Sequence, residues 1–176
     1  MRRTRTGCTG AATGIASGKL TLMDRYDDEK LILPFLGPVY RGLAPIAWPL
    51  VRIVAGLNLV PHGAQKLFGW FGGKGMEATT QGFAQMGYEP AVLWVWLVAL
   101  TEVVGGLLLA LGLLTRPAAL AIAIFLYTAV AHHMPNGFFW SQGGYEYPLL
   151  WATVALAFAI RGGGAFSVDR AIGRTF

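Results

Sequence analysis

Apolar residues run along this chain in unbroken blocks rather than in narrow amphipathic stripes, and the blocks are long enough to cross a bilayer as helices. The clearest is 91–114, AVLWVWLVALTEVVGGLLLALGLL; its roughly 24 residues rise about 36 Å at about 1.5 Å each, more than a hydrocarbon core requires. A block of similar length, about 45–68, carries Arg52, Asn58, His62, Gln65 and Lys66. A third runs from about 118 to 134, and a fourth, the shortest, from about 147 to 160. Thr115–Arg116–Pro117 reads as a tight turn between the second and third blocks. Residues 69–90 are rich in glycine and predict a loop with a short surface helix around Met76–Met86. The pattern predicts an all-α protein, a transmembrane four-helix bundle.

The flanks differ in kind. Residues 31–45, LILPFLGPVYRGLAP, are apolar but broken by Pro34, Gly37, Pro38, Gly42 and Pro45, which predicts a membrane-surface segment feeding the first span. Residues 1–30 start basic, like a signal peptide, but AATGIASG is too polar for the apolar region that must follow. They are read as a disordered cytoplasmic tail, with Met23 as an alternative start. Residues 162–176 are read as a soluble cytoplasmic C-terminal tail.

Composition agrees with the pattern. Of 176 residues, 55% are hydrophobic and 13% charged, against about a quarter charged in a soluble domain. Mean hydropathy is +0.51. The net charge of +5 sits mainly in the tails and one turn, which excludes a nucleic-acid surface. The one cysteine, Cys8, excludes an intramolecular disulfide or CxxC pair, so a redox role requires a bound cofactor or a partner protein. Lys and Arg cluster in the N-terminal tail, at Arg116 and at Arg161, Arg170 and Arg174, while the loop after the third block has neither. The positive-inside rule then puts both termini in the cytoplasm, N-in and C-in, with Trp70, Trp94, Trp140, Tyr145 and Tyr147 in an aromatic belt at the outer face.

Ionisable groups at membrane depth cost about 2.5–3.5 kcal/mol on insertion scales, so each needs a partner or a use. Arg52, Asn58, His62, Gln65 and Lys66 fall within an arc of about 140° on one helix, which must face the bundle. Depth matching yields two layers. Near the middle, Arg52 and Glu102 are expected to form a buried ion pair, a device that sets helix register more than it stabilises. Gly105 and Gly106 beside Glu102 allow another helix to approach. At the outer end, His62, Lys66, His132 or His133, and Glu146 reach one depth from different helices. Such a cluster suits a quinone head group, an anion, a metal or a proton relay; the plainer alternative is an interfacial polar cap with Lys66 snorkelling. The spacing matches no zinc-ligand motif, and no metal is assigned.

The stretches RIVAGLNLVPHGAQKLFGWFGG, TEVVGGLLLALGLLTRPAA, AHHMPNGFF with YEYPLL, and GGGAFSVDR, taken in order, resemble the DoxX family of small bacterial membrane proteins, over about residues 46–170. The resemblance implies a four-helix protein of the bacterial inner membrane. Related DoxD-type proteins are linked to quinone-coupled sulfur oxidation, and some DoxX proteins to complexes handling oxidative stress. Three functions compete: a quinone-linked membrane subunit of an oxidoreductase, a non-enzymatic scaffold for soluble redox proteins, and a small transporter. No GxGxxG, haem or iron–sulfur motif is present, which fits a partner that supplies electrons. The expected partners are the lipid bilayer, a soluble or membrane redox protein and a second copy of the chain.

Overall fold

The computed structural model describes residues 31–174, and every regular element among them is helical. The predicted disordered tail at 1–30, with Cys8 and Met23, lies outside the described residues. The described residues up to Gly42 and those from Leu43 onward belong to two separate units. In the first, a 3-10 turn at Pro34–Leu36 leads into a long helix at Gly37.

That helix, α1 (Gly37–Phe68), has 32 residues and starts earlier than the apolar pattern predicts. Pro38 lies in its first turn, where an amide would have no helical partner anyway. Pro45, Pro49 and Pro61 lie inside it. Each removes one backbone hydrogen bond, yet the helix continues, because open backbone in an apolar medium would cost more. The loop helix is α2 (Gly75–Gln85). The second span is α3 (Ala91–Leu111), interrupted by a π-helical turn at Thr101–Gly105. It stops at Gly112, whose φ of 70° is a left-handed cap that favours glycine. The third is α4 (Thr115–His133), so the predicted turn at Thr115–Pro117 is instead the first turn of a helix. After the loop come α5 (Glu146–Arg161) and the short α6 (Val168–Ala171).

Three helices are long and apolar enough to cross a membrane: the one ending at Phe68, α3, and α4 with its 3-10 extension. The chain is a multi-pass membrane protein by this measure. Ile124 is 61% exposed and Leu150 58% exposed, and exposed apolar surface of this extent suits lipid rather than water.

Lipid tails are as apolar as leucine, so the helices are held by close packing. α4 and α5 meet along alanines, with Ala119, Ala123, Ala152 and Ala155 all buried. α1 and α3 meet along glycines: a Cβ on Gly106 would lie 2.6 Å from the Gly56 carbonyl oxygen, and one on Gly63 would lie 2.8 Å from that of Ala99. Backbone therefore touches backbone at this seam.

One end of the bundle closes around Arg52, which is 2% exposed. Its Nε donates to the Ala110 carbonyl at 3.3 Å, Nη1 to Gly163 at 2.6 Å and Nη2 to Phe166 at 2.9 Å. The predicted Arg52–Glu102 ion pair is not formed. Arg52 lies level with Ala110, which is about 12 Å along α3 from Glu102 by helical rise. The segment 162–171, expected to be a soluble tail, folds onto this end. Asp169 is buried there and accepts from the Leu114 amide at 2.8 Å, the Thr115 amide at 2.9 Å and the Thr115 hydroxyl at 2.6 Å. Trp48 donates to the Gly162 carbonyl at 3.0 Å, and Arg161 stacks over the Trp48 ring.

Two measurements check this clamp. Arg52→Ala strands several carbonyls and should destabilise by roughly 3 kcal/mol or more in detergent melts. Combined with Glu102→Gln, the losses should add, because the two sites share no partner. Burial alone would raise the Asp169 carboxyl; the Thr115 and Leu114 hydrogen bonds and the nearby Arg52 charge outweigh it and hold the group below its usual value. A carboxyl held down in the folded state adds stability that is complete above its unfolded pKa, about 3.9, and drains away as pH falls through the folded one. The melting temperature should therefore drop on acidification below about pH 4, and Asp169→Asn should show a lower plateau and a shallower drop.

Candidate functional site

The inward face of α1 places Asn58, His62 and Lys66 one below another, at intervals of four residues or about 6 Å. Each rung has a different fate. Asn58 donates through its side-chain amide to the hydroxyl of Tyr147, from the first turn of α5. Lys66 forms an ion pair with Glu102, its Nζ lying 2.7 Å from both carboxylate oxygens, and donates also to the His62 carbonyl at 3.3 Å. The imidazole of His62, between them, makes no hydrogen bond to a described residue.

Local backbone explains the Lys66–Glu102 pairing. Glu102 belongs to the π turn, which inserts a residue into the helical repeat and changes the direction of the side chains around it. Gly63, one turn below Lys66, lets α3 approach until its Glu102 and Val103 side chains touch the α1 backbone region. The carboxylate ends 3% exposed, with the ammonium as its counter-charge. An unpaired charge there would be expensive, so the pair is a condition of the packing.

These rungs border a cavity of about 650 Å³. His62, Lys66, Glu102 and Tyr147 line it, and most of the remaining wall is apolar, including Leu59, Ile122 and Phe125. Phe83 and Met86 come from α2 and the turn after it. The indole Nε1 of Trp151, another lining residue, is buried without a partner among the described residues. At the far end of α4, His132 and His133 also line the cavity. The His133 Nδ1 lies 2.7 Å from the Gly143 carbonyl. A carbonyl only accepts, so Nδ1 carries a proton.

Of the residues the sequence singles out, His62, Lys66, His132 and His133 all reach this one cavity. Glu146 does not. Its Oε1 accepts from the Trp140 amide at 2.8 Å and so pins the 3-10 turn Trp140–Gln142 of the preceding loop. The first turn of α5 aims it at that loop, and the acidic member of the cavity is Glu102. Lys66 is likewise no snorkelling cap. Sequence reasoning assigned Tyr147 only to the aromatic belt and Asn58 to no role; the regular spacing of Asn58, His62 and Lys66 was the available signal. Among the described residues no three His, Cys, Asp or Glu side chains converge as metal ligands would.

The DoxX family model matches residues 47–134, which hold Asn58, His62, Lys66, Glu102 and both α4 histidines but not Tyr147. A protein of Bacillus subtilis (strain 168) named "Putative oxidoreductase CatD" is 30% identical over 108 residues, 61% of this chain and 75% of that protein. No solved structure matches.

The ion pair is testable by a double-mutant cycle. Lys66→Met or Glu102→Leu alone should cost about 3–5 kcal/mol if the other charge stays buried. The double variant should cost clearly less than the sum, measured by unfolding in detergent. Additive losses would show that the two groups act independently.

Proposed function

This chain belongs to the DoxX family, and from that premise we propose that it is an inner-membrane component of a quinone-linked redox system whose cavity takes the quinone ring. The observation that carries the proposal is the convergence of His62, Tyr147 and the Lys66–Glu102 pair on one largely apolar space among membrane-length helices. A pocket of a few hundred Å³ with apolar walls and a few placed polar groups is the usual form of a small-molecule site. The residues fit a quinone: flat apolar walls suit its ring, and the open His62 ring and buried Trp151 N–H suit its carbonyls. The oxidoreductase name of the Bacillus relative supports the same reading.

Bound quinone would supply two-electron acceptance coupled to two protons. The chain's own part is to bind, orient and handle protons. His62 can both give and take a proton through its ring nitrogens and lies one turn from the Lys66–Glu102 pair, so those three groups are the candidates for exchanging protons with a ring oxygen. Electrons come from a partner protein, soluble or membrane-bound. In the proposed topology α5, with 16 residues and about 24 Å of rise, completes a four-helix bundle as a short fourth span. Arg116, Arg161, Arg170 and Arg174 then face the cytoplasm with both termini, and the cavity end lined by His132 and His133 lies on the outer side.

Reporter fusions after Arg116 and after Gly163 should behave as cytoplasmic and one near Gly144 as periplasmic; a periplasmic signal after Arg116 overturns the topology. His62→Ala should abolish complementation under oxidative or sulfur-compound stress at unchanged membrane level and melting temperature. Full complementation would instead leave a scaffold role in front.

A further inference from the structure

Most polar side chains around the cavity are already committed to protein partners. All three Lys66 protons have acceptors in Glu102 and the His62 carbonyl. The hydroxyls of Thr101 and Thr128 turn back onto the carbonyls of Leu97 and Ile124 in their own helices. His133 is tied to Gly143. Tyr147 differs, because its oxygen accepts from Asn58 while no described acceptor takes its own proton. A phenol in that state is an aimed donor. Its ring is also fixed, packed against Trp140 at 5.1 Å and Trp151 at 6.1 Å between centroids. His62, one turn along α1 from Asn58, is the other side chain of this inner stripe with an open ring nitrogen.

We propose that the Tyr147 hydroxyl and the His62 imidazole together hold one oxygen of the ring ligand, and that Asn58 is a positioning residue that sets the direction of the phenol. The inference rests on the quinone reading and deepens it by naming the groups that recognise the carbonyl. A carbonyl oxygen has two lone pairs and takes both donors, Tyr147 O–H and the N–H of neutral His62. When the ligand carries a hydroxyl there instead, His62 in its other tautomer accepts from it, and Tyr147 still donates to its oxygen. The pair therefore accommodates both redox forms of the ring without a conformational change. It also selects against flat apolar molecules that lack an oxygen at that point, because an apolar edge would leave the phenol proton and the imidazole unmet inside the protein.

The test uses the full chain in lipid nanodiscs, with quinone binding read by quenching of tryptophan fluorescence and binding of the second probe by its reversal of that quenching. The probes are decylubiquinone and an alkylbenzene of equal chain length. The wild type should bind the quinone more tightly than the alkylbenzene. Tyr147→Phe keeps the ring packing and should weaken quinone binding about tenfold, the loss of one hydrogen bond, while leaving alkylbenzene binding unchanged. Asn58→Leu should show the same selective loss, because the phenol loses its fixed direction. Should Tyr147→Phe fail to accumulate, His62→Phe is read with the same two probes. Undiminished quinone affinity in the variants overturns the inference and leaves the quinone reading standing. A wild type that binds the two probes equally overturns the quinone reading and the inference with it.

Discussion

A guanidinium buried among apolar helices must be hydrogen-bonded around its whole edge or it will not stay buried. Arg52 meets that condition with carbonyls from three places: the end of α3, the glycines after α5 and the turn before α6. The bond to Ala110 sets the level of α1 against α3, and the other two fold the chain's end over the bundle. With Asp169 holding the α3–α4 turn by three bonds, one end of the molecule becomes a closed polar knot. Everything further up the helices is placed by it. The glycine seam of α1 and α3 brings Gly63 beside Glu102 only if the two helices keep this level.

The two inward-facing basic residues of α1, Arg52 buried and Lys66 half-buried, thus have different work. Arg52 is a structural group whose acceptors are backbone. Lys66 is paired with a carboxylate at an irregular turn, in the wall of a cavity. Single π turns inside α-helices are frequent at functional sites, and this one contributes Glu102 to the cavity wall.

Much of this was legible in the sequence. The apolar blocks located every long helix to within a few residues, apart from α1, whose beginning was masked by prolines. Of the five polar residues expected on one inward face, Arg52 is buried and Asn58, His62 and Lys66 line the cavity, while Gln65 instead donates to the Phe71 carbonyl of the following loop. Pairing was harder to read. Matching opposite charges by depth joined Arg52 to Glu102, because side-chain patterns carry no sign of backbone acceptors, and the acceptors of Arg52 are carbonyls partly from a segment that looked soluble. The π turn has no sequence signature either, and it decides which way Glu102 faces. Glu146 was placed at a suitable depth, but depth says nothing of direction, and its carboxylate serves the loop.

The glycine seam has a consequence for access. Where the backbones of α1 and α3 touch, nothing the size of a ring can pass. The cavity's walls elsewhere include Leu97 of α3 and Ile124 of α4, both turned outward with large exposed area. A route for the proposed ring ligand would lie between these helices and face the acyl chains. A visitor using it arrives by partitioning, so its supply is counted per volume of lipid and its hydrophobic tail acts as the means of delivery. Occupancy would then respond to how much membrane the cell makes, and dilution in water would hardly alter it.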